Sequence, residues 1–230
     1  MTQETHLSSL QRLRAKLRSS SLDSLLYSLS WRLPKWLFRY THAILVAAHD
    51  LDVVPPDSEI FRFRMAVPSD AENFKLLGVS AETVRKRLSQ DIHCGVAVRG
   101  DGMICSMVWA STGRLYLEGV GVILETDPEG VYVYNSFTLA ELRGHSLYRG
   151  CSSAVCEYYK KDGRTVRYGI IDLLNESSFK ANGRINLKPA GEARYFVILG
   201  FHITLLKNWP KTKKKLTFSF GKRTRGAKAV

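Results

Sequence analysis

The chain lacks any apolar run long enough to cross a bilayer: its longest, Ala43–Ala48, falls far short of the roughly 18 to 20 residues that a membrane-spanning helix needs. The first twenty residues carry basic side chains but no apolar core leading to a small-residue cleavage site, so no secretory signal is expected. Cysteine is scarce. Cys94, Cys105, Cys151 and Cys156 form no CxxC pair and no regular framework, which argues against a disulfide scaffold and for reduced thiols in a cytoplasmic setting. His42, His49, His93 and His202 show no metal-ligand spacing, and Cys151 and Cys156 do not share a helix face, so no metal is expected. Acidic residues are absent from Lys207–Val230.

That last absence locates the charge. The 230 residues carry a formal net charge of +13, and it belongs to the ends: Arg12–Arg39 holds seven Lys or Arg against one Asp, and Lys207–Val230 holds nine against none. The stretch between them is close to neutral. Basic termini of this kind can meet an anionic partner, whether a membrane surface, an acyl-carrier protein or nucleic acid, and equally can be solvated ends. A composition of 45% hydrophobic and 24% charged residues suits one well-buried domain with appendages.

The most informative stretch is Val131–Gly163. Tyr132, Tyr134, Ser136 and Thr138 alternate with Val133, Asn135 and Phe137, as in a partly buried strand. The period then changes: Leu147, Cys151, Ala154, Val155 and Tyr158 form one stripe of a helix that Lys160, Lys161 and Gly163 close. Between strand and helix lies Arg143-Gly144-His145-Ser146-Leu147-Tyr148. The N–H groups of a first helical turn have no intrahelical partners and can cradle a phosphate. Gly144 would let a ligand approach the main chain, and Arg143 could add a charge-assisted contact. An Arg-Gly pair before a helix is also, by itself, an ordinary turn.

Around this centre the chain reads as follows. Leu7–Ser30 has helical spacing with a break near Ser19-Ser20-Ser21, and the Trp31–Tyr40 segment mixes aromatic and basic residues as interfacial segments do. Ala43–Leu51 is expected to continue a helix, making residues 1–57 an amphipathic helical extension, and Pro55-Pro56 marks a break before a domain over 58–206. In that domain Phe61–Met65 reads as a first strand, Pro68-Ser69-Asp70 as a helix start capped by Ser69 or Asp70, and Ala81–Ser89 as a second helix. Cys94–Val98 and Met103–Ala110 flank a hairpin turn at Arg99–Gly102, Leu115–Leu124 adds strand, and Asp127–Gly130 turns into Val131. Val166–Leu173 is a near-continuous apolar strand, as expected where both faces are covered. Asn175 caps a following helix, Arg194–Leu206 makes one or two strands about Gly200, and 207–230 is a basic tail in which Leu216, Phe218 and Phe220 alternate as an edge strand would.

Arg143 and Gly144, between a fourth strand and a helix, together with Asn175 and Ser178 at the start of a later helix, resemble motifs of the GNAT-type N-acyltransferases. Ser146 and Tyr148 stand where the phosphate motif has Gly and Gly or Ala, so Tyr148 must point away from a pyrophosphate, and Asn182 replaces the Tyr often found seven residues after the Asn. The resemblance spans about 58–206 in strand order. It implies an α/β (α+β) fold with a central mixed, mostly antiparallel sheet flanked by helices. It also implies acetyl-CoA or another acyl-CoA as co-substrate, with pyrophosphate at Arg143, Gly144, His145, Ser146, Leu147 and Tyr148. The pantetheine arm would lie along Phe137, Thr138 and Leu139.

Acyl transfer to a primary amine needs an oxyanion donor and a group that takes the amine proton. Glu118, Tyr134 and Tyr132 are the candidates, although a phenol with a pKa near 10 is a poor base unless perturbed. No nucleophile with a neighbouring base is apparent, so direct attack in a ternary complex is expected. The amine acceptor stays open among an amino sugar, an amino acid, an aminoacylated RNA and a protein amine. A competing reading is a GNAT-like protein that no longer turns over and binds nucleic acid or an anionic surface through its basic ends.

Overall fold

The computed structural model describes residues 21–117, 119–183, 185–209, 216–220 and 228–229. They form a mixed α/β architecture, mostly antiparallel in its strand pairing and flanked by helices, and they fall into two compact units. Among the described residues no helix is long and apolar enough to cross a membrane.

One unit comprises residues 49–113 and 126–168. Its antiparallel ladder joins β2 (Phe61–Met65), β3 (His93–Arg99), β4 (Ile104–Ser111) and β7 (Gly130–Thr138), and the first residues of β8 (Val166–Asp172) follow in the same order. All of β4 is buried, because both faces of this ladder are covered. On one face α3 (Leu147–Lys161) packs Leu147, Cys151, Val155, Cys156 and Tyr159 against Ala97, Cys105, Val108, Val131 and Val133. Leu147, Cys151 and Val155 of the expected stripe are buried, but at its end the helix buries Tyr159 and exposes Tyr158, and His93 lies 3.0 Å from each phenol oxygen. On the other face a tight helical stretch, Pro68–Leu77, and α2 (Ala81–Ser89) bury Phe74, Leu77 and Val84 against Cys94, Val96, Met107 and Trp109. Ser80 caps α2. At Pro68–Leu77 the cap position is Val67, not Ser69 or Asp70: Asp70 instead accepts from the Val67 N–H and takes a bidentate pair from Arg64, so it serves the helix start from its third residue.

The other unit takes residues up to Ala48, Arg114–Glu125 and the chain from Gly169 onward. Here α1 (Ser21–Arg32) is followed by β1 (Phe38–Ala48). Residues 43–51 thus do not continue a helix. Tyr40–Ala48 is buried throughout, a run covered on both faces, and such a run has no period by which a strand could be told from a buried helix. β1 pairs antiparallel with β9 (Lys188–Ile198), β9 with β10 (Phe201–Lys207), and β10 with β11 (Leu216–Phe220), the edge strand anticipated from its alternation. The expected strand at 115–124 is a hairpin, β5 (Arg114–Leu117) with β6 (Val122–Glu125), and β12 (Lys228–Ala229) runs parallel to β5. A polar network fixes α1 on β1: the Tyr40 hydroxyl donates to Asp23, the His42 N–H donates to the Tyr27 hydroxyl at 2.9 Å, and His42 Nε2 lies 2.9 Å from Glu192. Residues 7–20 and most of the basic tail lie outside the described residues.

Candidate functional site

β7 enters the site with both faces occupied. Val131 and Val133 join the core beneath α3, while Tyr132 and Tyr134 stack on the opposite face with ring centroids 5.4 Å apart. The pairing with β4 then slips. Met107 faces Phe137 and Trp109 faces Tyr134, so Asn135 and Ser136 together oppose Val108. Two residues against one make a β-bulge, and Asn135 takes a φ of 47°, in the left-handed region that Asn tolerates better than most residues. A bulge withdraws main-chain groups from the ladder, and here they emerge where Asn135, Ser136 and Phe137 are exposed.

Beyond the bulge the strand is held again. The buried Ser106 hydroxyl lies 3.0 Å from the Phe137 carbonyl oxygen and 2.8 Å from the Thr138 hydroxyl, and the Leu139 N–H donates to Cys105 O at 3.0 Å. Leu139 is accordingly removed from the main-chain groups expected to pair with a pantetheine arm. Its N–H has a partner inside the sheet and its side chain packs against both core clusters.

A short turn at Ala140–Leu142 leads to Arg143, whose backbone is extended, then to Gly144 at φ 96° and Ser146 at φ 58°. Nothing lies within 4 Å of where a Cβ on Gly144 would sit, so glycine serves the left-handed conformation and leaves the main chain open to approach. Ser146 occupies the N-cap of α3, yet its hydroxyl makes no capping bond, and the first turn holds no acidic residue. The Arg149 and Gly150 N–H groups donate to Ser146 O at 2.9 and 3.2 Å. A helix end without a side-chain cap presents its dipole and N–H groups to an anion, and the left-handed positions on either side of His145 favour the concave run of N–H groups that binds phosphates. Arg143 and His145 are exposed, and Arg143 has no carboxylate partner among the described residues. Leu147 and Tyr148 turn the other way. Leu147 is in the core, and Tyr148 packs against the same cluster, where burial raises its phenol pKa.

The candidates for proton transfer fare differently. Burial raises the pKa of Tyr132, with Tyr134 adding to it, and burial raises that of Tyr134 against a smaller opposing effect of Arg87. Both shifts favour the neutral phenol, the form that donates and does not take up a proton. Glu118 lies outside the described residues. Asn175 and Ser178 belong to the other unit: Asn175 Oδ1 accepts from the Ser178 N–H at 3.0 Å and caps α4 (Glu176–Gly183). Asn182 donates back to Ser178 O on its own helix at 2.8 Å. The four cysteines are free and buried, and burial pushes the Cys151 thiol up to about 12, which removes it as a nucleophile.

Three residues escaped the sequence reading. Ser106 steadies the end of β7. Trp109 and Arg87 stand beside Tyr134, the Arg87 guanidinium carbon 4.7 Å from the Trp109 ring centroid. The bulge fixes which residue of β4 faces which residue of β7, and no local signal in either segment carries that register.

No family model matches the chain, and no curated protein matches it. Solved structures do. A GCN5-related N-acetyltransferase from Sphaerobacter thermophilus superposes with a TM-score of 0.50 at 14% identity, over 86% of this chain and 60% of that one. A Drosophila protein superposes with a TM-score of 0.50 at 12% identity, over 76% of this chain and 56% of that one. The chain therefore spans well under two thirds of either. At such identities the likeness is one of fold alone, and the fold is of the kind seen in GNAT-type N-acyltransferases.

Proposed function

We propose that the protein is an acyl-CoA-dependent N-acyltransferase, passing an acyl group, acetyl in the simplest case, to a primary amine within a ternary complex. The observation that carries this reading is the uncapped N-terminus of α3 behind the open main chain at Gly144, reached directly from the bulged end of β7. Acyl-CoA supplies a thioester carbon open to attack. The residues of this chain have two tasks: N–H groups from Gly144 onward and Arg143 hold the pyrophosphate, and a main-chain N–H at the bulge steadies the carbonyl oxygen as charge develops on it. The amine nitrogen bonds to the carbonyl carbon, the carbon–sulfur bond breaks, and the proton lost by the nitrogen leaves with the thiol.

Calorimetric titration of the full chain with acetyl-CoA tests the proposal. Saturable binding is expected. Gly144→Asn and Gly144→Asp carry the same left-handed strain, but only the aspartate sets a charge against the pyrophosphate, so Asp should abolish binding while Asn weakens it. Equal affinities for the two variants would refute the placement of the loop. Absence of acetyl-CoA binding alongside salt-sensitive RNA binding would overturn the enzyme reading itself.

A further inference from the structure

The sheet face opposite α3 holds polar groups that the acyl-donor site does not use. Trp109 is fully buried, and its indole Nε1–H has no acceptor among the described residues. Directly across the ladder stands Tyr134, and opposed residues of an antiparallel pair present their side chains on one face. The Tyr134 hydroxyl is also buried and unpartnered. Arg87, from α2, lays its guanidinium over the Trp109 ring, and its Nη1 is buried without an acceptor.

Three carboxylates of the neighbouring elements are engaged elsewhere, and Glu82, on the first turn of α2, is exposed. Arg64 holds Asp70 at 2.6 Å, Arg85 holds Glu72 at 2.7 Å, and Asp91 lies 3.4 Å from His93. An indole nitrogen and a guanidinium can only donate, and a phenol kept neutral donates readily. Buried polar groups are ordinarily paired, and these three, each able to donate and each without a partner among the described residues, favour a ligand that accepts. Such a ligand is rich in lone pairs, and the guanidinium makes an anion the fitting one.

We propose that Arg87, Trp109 and Tyr134 anchor a carboxylate, and that the acceptor amine is therefore an amino acid. The second half rests on the acyltransferase reading; the carboxylate site does not. Tyr134 adjoins Asn135, the first residue of the bulge, so a carboxylate held there brings an α-amine, two bonds from the carboxylate carbon, toward the bulge. A guanidinium nearby also disfavours the ammonium form and helps keep the amine unprotonated. Of the three, Arg87 is the one carried on a surface helix, nine residues long, where it is half-buried.

The chain has four tryptophans, so the full-length protein labelled with nitrogen-15 at its indoles gives four side-chain signals, and Trp109→Phe identifies the relevant one. Titration with L-amino acids, each beside its α-amide, should move the Trp109 signal saturably with at least one acid and not with the matching amide. Arg87→Gln should weaken that response at least ~10-fold and Arg87→Lys by less, as expected for loss of a charge-assisted contact. Acetyl-CoA affinity should stay within about twofold in both variants, and the other indole signals report whether each variant folds. A Trp109 signal that no amino acid moves, or that acid and amide move alike, overturns the proposal. So does an undiminished response in a folded Arg87→Gln. A response that persists in a protein unable to bind acetyl-CoA supports the carboxylate anchor and removes the acyltransferase reading alone.

Discussion

At Asp172 burial and hydrogen bonding pull one carboxyl in opposite directions. Burial, the larger effect, raises its pKa; the Leu174 N–H at 2.8 Å and the Tyr27 hydroxyl at 3.3 Å, both reaching Oδ1, act against it. The net shift is upward. A carboxyl whose folded pKa lies above its unfolded one contributes its full stability below the unfolded value, near 3.9, and that stability is lost as pH rises through the folded value. An amide oxygen can accept the same two bonds without ever ionising. Asp172→Asn should therefore melt higher than the parent at pH 7, with the gain vanishing below about pH 4. Melting curves at the two pH values check this, and a gain independent of pH would mean that repacking, not ionisation, separates the two proteins. The same reasoning applies to the phenols of the candidate site. Tyr132 and Tyr134 lie on a segment that looks half-exposed as a sequence, and only the second covered face shows that their environment holds the proton on.

At the scale of the element, α3 starts from the loop at Gly144, and one of its close approaches to the sheet is at Gly95. A Cβ on Gly95 of β3 would fall 2.3 Å from the Cys151 carbonyl oxygen and 2.8 Å from Val155 Cγ2. The first of these is backbone and cannot swing aside, so Gly95→Ala must lift the helix, at a cost of ~1–3 kcal/mol or more. Gly144→Ala meets open space and bears only left-handed strain, ~1–2 kcal/mol. Thermal unfolding should rank Gly95→Ala as the more destabilised. The reverse order would show that helix and sheet separate at little cost. The limits of α3 were legible in the sequence because a strand period gives way to a helical one between Thr138 and Leu147, with Gly144 at the joint. Its buried face was legible only to within a residue, since Tyr158 and Tyr159 both reach His93 and the packing of β3 decides between them. The bulge was not legible at all, because Asn135 and Ser136 become a bulge only in relation to Val108.

For the whole molecule the consequential misreading is β1. Ala43–Ala48 carries no period, and Pro55-Pro56 looks like the boundary of an appendage, so a domain starting near Ser58 follows naturally from the sequence. In the fold the eleven residues of β1 lie between β9 and β8 in the strand order of their unit, with Ile44, Leu45 and Val46 at most 1% exposed. Burying three such side chains contributes roughly 1.5–3 kcal/mol each, about 5–9 kcal/mol together. That is comparable to the ~5–15 kcal/mol that separates most folded domains from their unfolded chains. A chain of residues 58–230 would lose this contribution, leave Glu192 without His42, and expose the pairing edge of β9 to intermolecular association. It should show no cooperative thermal transition by circular dichroism and should elute as large species in gel filtration. A monomer that melts at the parent's temperature would instead make the first 57 residues a dispensable extension, and would move β1 from the architecture of the unit to its periphery.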